Sequence, residues 1–271
     1  MAGLVSALMI ASAVCERTAR ILPSYERKDI TAIAERESWT ESDYDVLYHQ
    51  TGLGRPALDA LKQRAGFSAQ TLIAYQDAFF FNGELEHDMA AVTTPHDRYA
   101  NGYSAPVAPL ESGDIVVSSA CHTFGWRNGH AALIVNGASG TTIESFSPST
   151  NSGYGTLRWF LQSSNFLILR LKEEYKEQFS IDPQKVAEDA IAKLRNVPYD
   201  LTVGIFSPKD QCANGKKAQK THCAHLVWQA YQNFGIDIDS NGGAIVTARD
   251  IARSKFFEVV QVNGFDPDQL W

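Results

Sequence analysis

One cysteine stands where a helix begins. In the stretch THCAHLVWQAYQNFG, residues 221–235, Cys223 opens an amphipathic run in which Cys223, Val227, Ala230, Tyr231 and Phe234 share one helical face. A cysteine so placed is often no more than a small apolar packing residue. The first turn of a helix offers something further. Unpaired N–H groups and the positive end of the helix dipole favour a thiolate there, and the thiolate is the form that attacks. Cys223 is therefore a candidate nucleophile, and a nucleophile of this kind needs a base.

Neither flanking histidine has the expected geometry. His225 projects roughly 200° around the helix from Cys223, and His222 points about 100° aside. His130 is the better candidate, because it follows Gly129 at the head of an apolar strand where an imidazole adds little to packing. Glu144 sits on the adjoining strand across a hairpin-length turn. A carboxylate there would orient the imidazole and stabilise its charged form. Each of the two, taken alone, also reads as an ordinary solvated strand residue. A zinc site built from Cys212, His222, Cys223 and His225 fails on spacing, since C-x9-H-C-x-H matches no common pattern and ligands so close on one helix diverge. No metal and no organic cofactor is expected.

The elements that must position these residues follow from periodicity. The first hundred residues read as helical. Thr40-Glu41-Ser42-Asp43 is a capping signal ahead of Tyr44, Leu47 and Tyr48. Pro56 opens another helix, whose Leu58, Leu61 and Ala65 share a face before Gly66. Ser68 starts a further one through Leu72, Tyr75 and Phe79. Three prolines and Asn101-Gly102 between Thr93 and Pro109 mark a linker or wrapping loop.

After Leu110 the pattern changes to strands. These are expected over residues 113–118, 130–135, 141–145 and 166–171, with Asn136-Gly137 turning the chain between the second and third. Asp182 and Pro183 start a helix with Val186, Ala190 and Leu194 on its inner face. A polar loop carrying Lys209, Lys216, Lys217 and Lys220, expected to be solvated, then leads to Cys223. The expected fold class is α+β: a small antiparallel sheet packed against the cysteine helix over residues 106–271, preceded by a helical region over residues 1–105.

Composition bounds the function. The chain has 271 residues, 44% of them apolar, and a net charge of −7, which argues against nucleic acid as a bulk electrostatic partner. No apolar run approaches the length of a membrane span. Residues 3–14, GLVSALMIASAV, form an uncharged apolar run containing an A-x-A-like site, so residues 1–14 are either a leader lacking its basic start or a first helix. Export to the cell surface or medium is the expectation, with a cytoplasmic location as the alternative.

As an ordered set the motifs are more specific than any one of them. LESGDIVVS (110–118), NGHAALIV (128–135), TTIES (141–145), VPYD (197–200), THCAHLVWQAYQNFGIDID (221–239) and AIVTARDIARS (244–254) together resemble the circularly permuted NlpC-type, papain-like cysteine hydrolases. The resemblance is nearest to the YiiX/YycO-like branch, distant relatives of cell-wall-associated hydrolases. It covers roughly residues 107–260, and the histidine strand precedes the cysteine helix, which is the permuted order.

The resemblance implies Cys223 as nucleophile, His130 as base and Glu144 as the orienting residue. Tyr199 would line the site or hold the oxyanion, together with the backbone N–H of Cys223. Many relatives carry Ser or Asp beside the cysteine, where this chain has Ala224 after it and His222 before it. The reaction implied is acyl transfer to water on a peptide or peptidoglycan fragment. The alternative is a lipid acyl hydrolase, acyltransferase or thioesterase, as in the permuted lecithin retinol acyltransferases. A third reading keeps the fold as a binding module. In an exported protein with Cys15 in a leader and Cys223 free, counting leaves Cys121 and Cys212 as a candidate disulfide.

Overall fold

The computed structural model describes residues 19–87, 96–122 and 127–271. The leader-like run and Cys15 lie outside the described residues.

Among the described residues, four helices precede the sheet: α1 (Thr31–Ala34), α2 (Glu41–Thr51), α3 (Arg55–Lys62) and α4 (Ala69–Phe79). Their starts follow the capping chemistry expected of them. The Thr40 hydroxyl accepts from the Asp43 N–H while the Asp43 carboxylate accepts from the Thr40 N–H. Pro56 sits in the first turn of α3, where its missing N–H costs nothing. A short hairpin, β1 (Leu85–His87) with β2 (Asp97–Tyr99), follows α4. The proline-rich stretch expected to be a loop therefore contains a strand.

Six further strands make one sheet: β3 (Ile115–Ser118), β4 (His130–Asn136), β5 (Thr141–Glu144), β6 (Gly153–Thr156), β7 (Phe166–Leu171) and β8 (Phe257–Asn263), in the order β6-β5-β4-β3-β7-β8. Every neighbouring pair is antiparallel. The expected α+β class with a small antiparallel sheet is what the chain adopts.

Both faces of this sheet are covered, which explains strands that are continuously apolar rather than alternating. After the short helices α5 (Arg158–Leu161) and α6 (Glu173–Phe179) come α7 (Pro183–Leu194) and α8 (Cys223–Gln232), and on one face Ile115, Val117, Ala131, Leu133 and Leu169 pack against these last two. On the other, Val116, Ala132, Ile134, Phe166 and Ile168 pack against Leu47, Leu58 and Leu72 of the early helices. The early helices also close an edge of the sheet. Gly54 N–H donates to Val260 O at 3.0 Å, and Val262 N–H to Gly52 O at 2.7 Å, so residues 52–54 run along β8 as a makeshift neighbour.

One buried ion pair ties β7 to the head of β3. Arg170 donates to both carboxylate oxygens of Asp114, at 2.8 and 2.7 Å, and also reaches Glu111 at 2.7 Å. Among the described residues no helix is long and apolar enough to cross a membrane.

Two expectations need correction. Cys121 and Cys212 are both free thiols. Cys121 lies just past β3, bridged to His96, whereas Cys212 belongs to the loop beside Asn233 and Lys193, so the fold gives them no common place. The lysines of the 209–220 loop are not all solvated. Lys209 Nζ is held by Asp239 Oδ2 at 2.6 Å and Gly243 O at 2.8 Å, over the Trp228 ring, and Lys220 pairs with Asp200.

Candidate active site

Cys223 is the first residue of α8, and His222 is its N-cap. At that position no carbonyl one turn earlier is available to the first N–H groups, which face outward beside the sulfur. The rest of the helix is anchored by burial of Leu226, Val227, Ala230 and Tyr231. Tyr231 adds a fixed point by donating to Gly113 O at 2.5 Å, at the entry to β3. The sulfur is thus held at a rigid helix terminus. Cys223 itself is half-buried.

His130 heads β4, in the middle of the sheet, and its ring is buried. It stacks on Phe160 with centroids 5.4 Å apart and meets Phe146 and Trp159 edge-on at 5.1 and 5.2 Å. This aromatic shell fixes the ring plane and was not apparent from the sequence. Glu144 lies on β5, diagonally across from His130 on the ladder that pairs Leu133 with Ile143. Its Oε2 is 2.5 Å from His130 Nε2. That contact leaves the other ring nitrogen for the sulfur.

The carboxylate has room because its neighbour on β6 is a glycine. A Cβ at Gly155 would fall 1.6 Å from Glu144 Oε1. Thr142 Oγ1 donates to the same oxygen at 3.4 Å.

The electrostatics follow from these contacts. Burial alone would drive His130 towards its neutral form, yet hydrogen bonds to Cys223 and Glu144 outweigh it and raise the imidazole to about 10. Burial likewise opposes a Cys223 thiolate. The nearby rings of His130 and then His222 win, lowering the thiol to about 5. Between those limits the site rests as a thiolate beside an imidazolium.

Tyr199 reaches the extended segment that leads into the cysteine helix. It bridges Thr221, two residues before Cys223, and its hydroxyl is pushed above the ordinary phenol range by burial and by the Cys223 charge. His225 points away from the sulfur as expected. Its Nδ1 meets Thr221 Oγ1 at 2.9 Å and its Nε2 meets the Lys209 carbonyl at 2.7 Å, and burial lowers its pKa to about 3. His222 departs from expectation: its ring does not swing aside but stays by the sulfur it helps to charge. Cys121 is buried close enough to feel the Cys223 charge, and burial holds it as a neutral thiol.

The arrangement sets a helix-terminal cysteine, a buried imidazole and a carboxylate in sequence, the order a nucleophile, a base and its orienting group would need. A cavity of about 600 Å³ lined by Arg64, Pro109, Ser139 and Arg158 shares none of these residues. Comparison with protein-family models, curated proteins and solved structures finds no match, so the chemistry of this site has to be argued from its own geometry.

Proposed function

We propose that this chain is a cysteine hydrolase of the circularly permuted papain-like kind, cleaving amide bonds of peptides, with peptidoglycan stem peptides as the substrate class its motifs suggest. One observation carries the reading: Cys223 at a helix N-terminus is electrostatically coupled to a buried His130, whose Nε2 is held 2.5 Å from Glu144. A cysteine that served only as packing would require none of this.

In the mechanism that follows, the Cys223 sulfur attacks the carbonyl carbon and a C–S bond forms. His130 passes its proton to the leaving amine, and the amide C–N bond breaks. Water, deprotonated by the now neutral His130, then attacks the thioester and releases the acid. Glu144 keeps the ring in one orientation and compensates its charge while the proton is held.

The test is the pH profile of iodoacetamide labelling at Cys223, read by peptide mapping, in wild type and His130→Ala. A labelling pKa near 5 that rises towards the ordinary thiol value of about 8.5 in the variant supports the proposal. Slow labelling with an ordinary pKa, indifferent to His130, overturns it and leaves Cys223 a packing residue.

A second substrate class is favoured by a specific observation. Directly after Tyr199, the turn that follows exposes Leu201, Ile205 and Phe206 at 54, 51 and 83%. Solvent-facing large apolar side chains in a turn so close in sequence to Tyr199 suit an acyl chain better than a polar stem peptide. The reading they support is a lipid acyl hydrolase, acyltransferase or thioesterase with the same Cys–His pair.

A further inference from the structure

We infer that the Nε2–H of His222 is a donor to the oxyanion formed when Cys223 attacks, an assignment that rests on the hydrolase reading above.

The tautomer is set by the cap. His222 Nδ1 accepts from the His225 backbone N–H at 3.4 Å, so in the neutral ring the proton sits on Nε2. That atom is buried and, among the described residues, has no hydrogen-bond partner of its own; the residue as a whole is 3% exposed. A buried N–H is rarely left unpaired in a folded protein, and one beside a nucleophile has an evident use.

The neighbouring histidine has no such freedom, because both nitrogens of His225 are engaged, with Thr221 and with Lys209. His222 also precedes the nucleophile directly in the chain, and its ring is close enough to the sulfur to favour the thiolate. On attack, a sulfur electron pair becomes the C–S bond and the carbonyl π pair moves onto oxygen. Negative charge therefore leaves the atom His222 faces in the resting site and appears on an atom bonded to its new neighbour. A donor placed there follows the charge, joining the N–H groups of the helix terminus.

Two variants separate this role from capping. His222→Asn keeps a side-chain acceptor for the helix cap but has nothing at the Nε2 position. His222→Gln carries an amide N–H towards that position. Two reactions are read at Cys223. Acetylation by 4-nitrophenyl acetate passes through an oxyanion, whereas alkylation by iodoacetamide, which displaces iodide from a saturated carbon, does not. Alkylation is read on its high-pH plateau, where a shifted thiol pKa no longer matters.

The expected result is a loss of ~10²–10³-fold in acetylation for His222→Asn, with the alkylation plateau nearly unchanged and acetylation largely recovered in His222→Gln. Acetylation and alkylation falling together, neither changing, or Gln behaving no better than Asn would each overturn the assignment. A wild-type protein that alkylates at low pH but is not acetylated would also overturn it while leaving the thiolate–imidazolium pair intact. Failure of that pair shows separately, as an ordinary labelling pKa indifferent to His130.

Discussion

The Glu144 carboxylate fills the space that a side chain on Gly155 would need across the β5–β6 pair: a Cβ on the glycine would fall 1.6 Å from Glu144 Oε1. The carboxylate that orients His130 can therefore reach it only because β6 has no side chain at that point. Gly155→Ala should push Glu144 off the imidazole without touching His130 or Cys223. A displacement of about 1 Å at a catalytic group costs up to ~10²-fold in rate. The expected outcome is a loss of that order in kcat/KM with a thermal midpoint close to wild type. An unchanged rate would mean that Glu144 does not support the histidine.

The pair Cys223–His130 sets the pH dependence. Attack requires the thiolate, present above about 5, and protonation of the leaving group requires the imidazolium, present below about 10. Turnover should therefore be bell-shaped, rising through the lower value and falling through the upper. Both limbs belong to the coupled pair rather than to either residue alone. Alkylation, which needs no proton donor, should keep the lower limb and lose the upper one. Stopped-flow measurement of both reactions over the same pH range would check this.

Arg170 and Asp114 form a buried, two-pronged pair at the junction of β3 and β7. Arg170→Met leaves Asp114 as a buried charge without its partner, a change that costs about 3–5 kcal/mol. The denaturant midpoint should fall accordingly, and Asp114→Asn added to the first substitution should restore part of the loss. Equal stability of Arg170→Met and wild type would mean that water reaches Asp114.

Lys209 acts as an internal cation for the turn at 239–243. Lys209→Met removes the charge facing Asp239, whose side chain has no solvent exposure, and should destabilise by about 3 kcal/mol. Limited proteolysis gives a sharper readout. The 201–220 segment should become cleavable in the variant under conditions where the wild type resists.

The exposed trio Leu201, Ile205 and Phe206 discriminates between the two substrate classes. Replacing all three with serine should cut activity on long-chain acyl esters by ~10-fold or more while leaving short-chain esters near wild type, if those side chains hold an acyl tail. Equal effects on both chain lengths would remove the support for the lipid reading.

Much of the site was legible because its chemistry is written in single residues at element ends. Cys223 was marked by its place before an amphipathic run, His130 by its place at the head of an apolar strand, and Glu144 by the hairpin between them. The structure brings all three together. His222 was misjudged for a definable reason. A rotation of about 100° per residue applies inside a helix, whereas His222 is the N-cap, with extended φ −136° and ψ 177°. Its side chain obeys cap geometry instead.

The shell of Phe146, Trp159 and Phe160 was missed because these residues lie outside the strand patterns and converge only through tertiary packing. The strand β6, GYGT, has no apolar alternation to reveal it. Lys209 was read as solvated because its partners, Asp239 and Gly243, come from a distant turn.

The backbone bonds between residues 52–54 and β8 bear on how the chain is made. They join residues 52–54 to β8, a strand made long after them, at one edge of the sheet. Early helices emerging from a ribosome would present Leu47, Leu58 and Leu72 with no sheet to cover them. The Cys223 helix would emerge while β8 was still missing. Pairings so distant in sequence form slowly and late, since a long loop must close before any contact rewards it. Assembly of the face that those helices cover is thus deferred until β8 has been made, and nascent chains halted before Phe257 should be the species that chaperones hold.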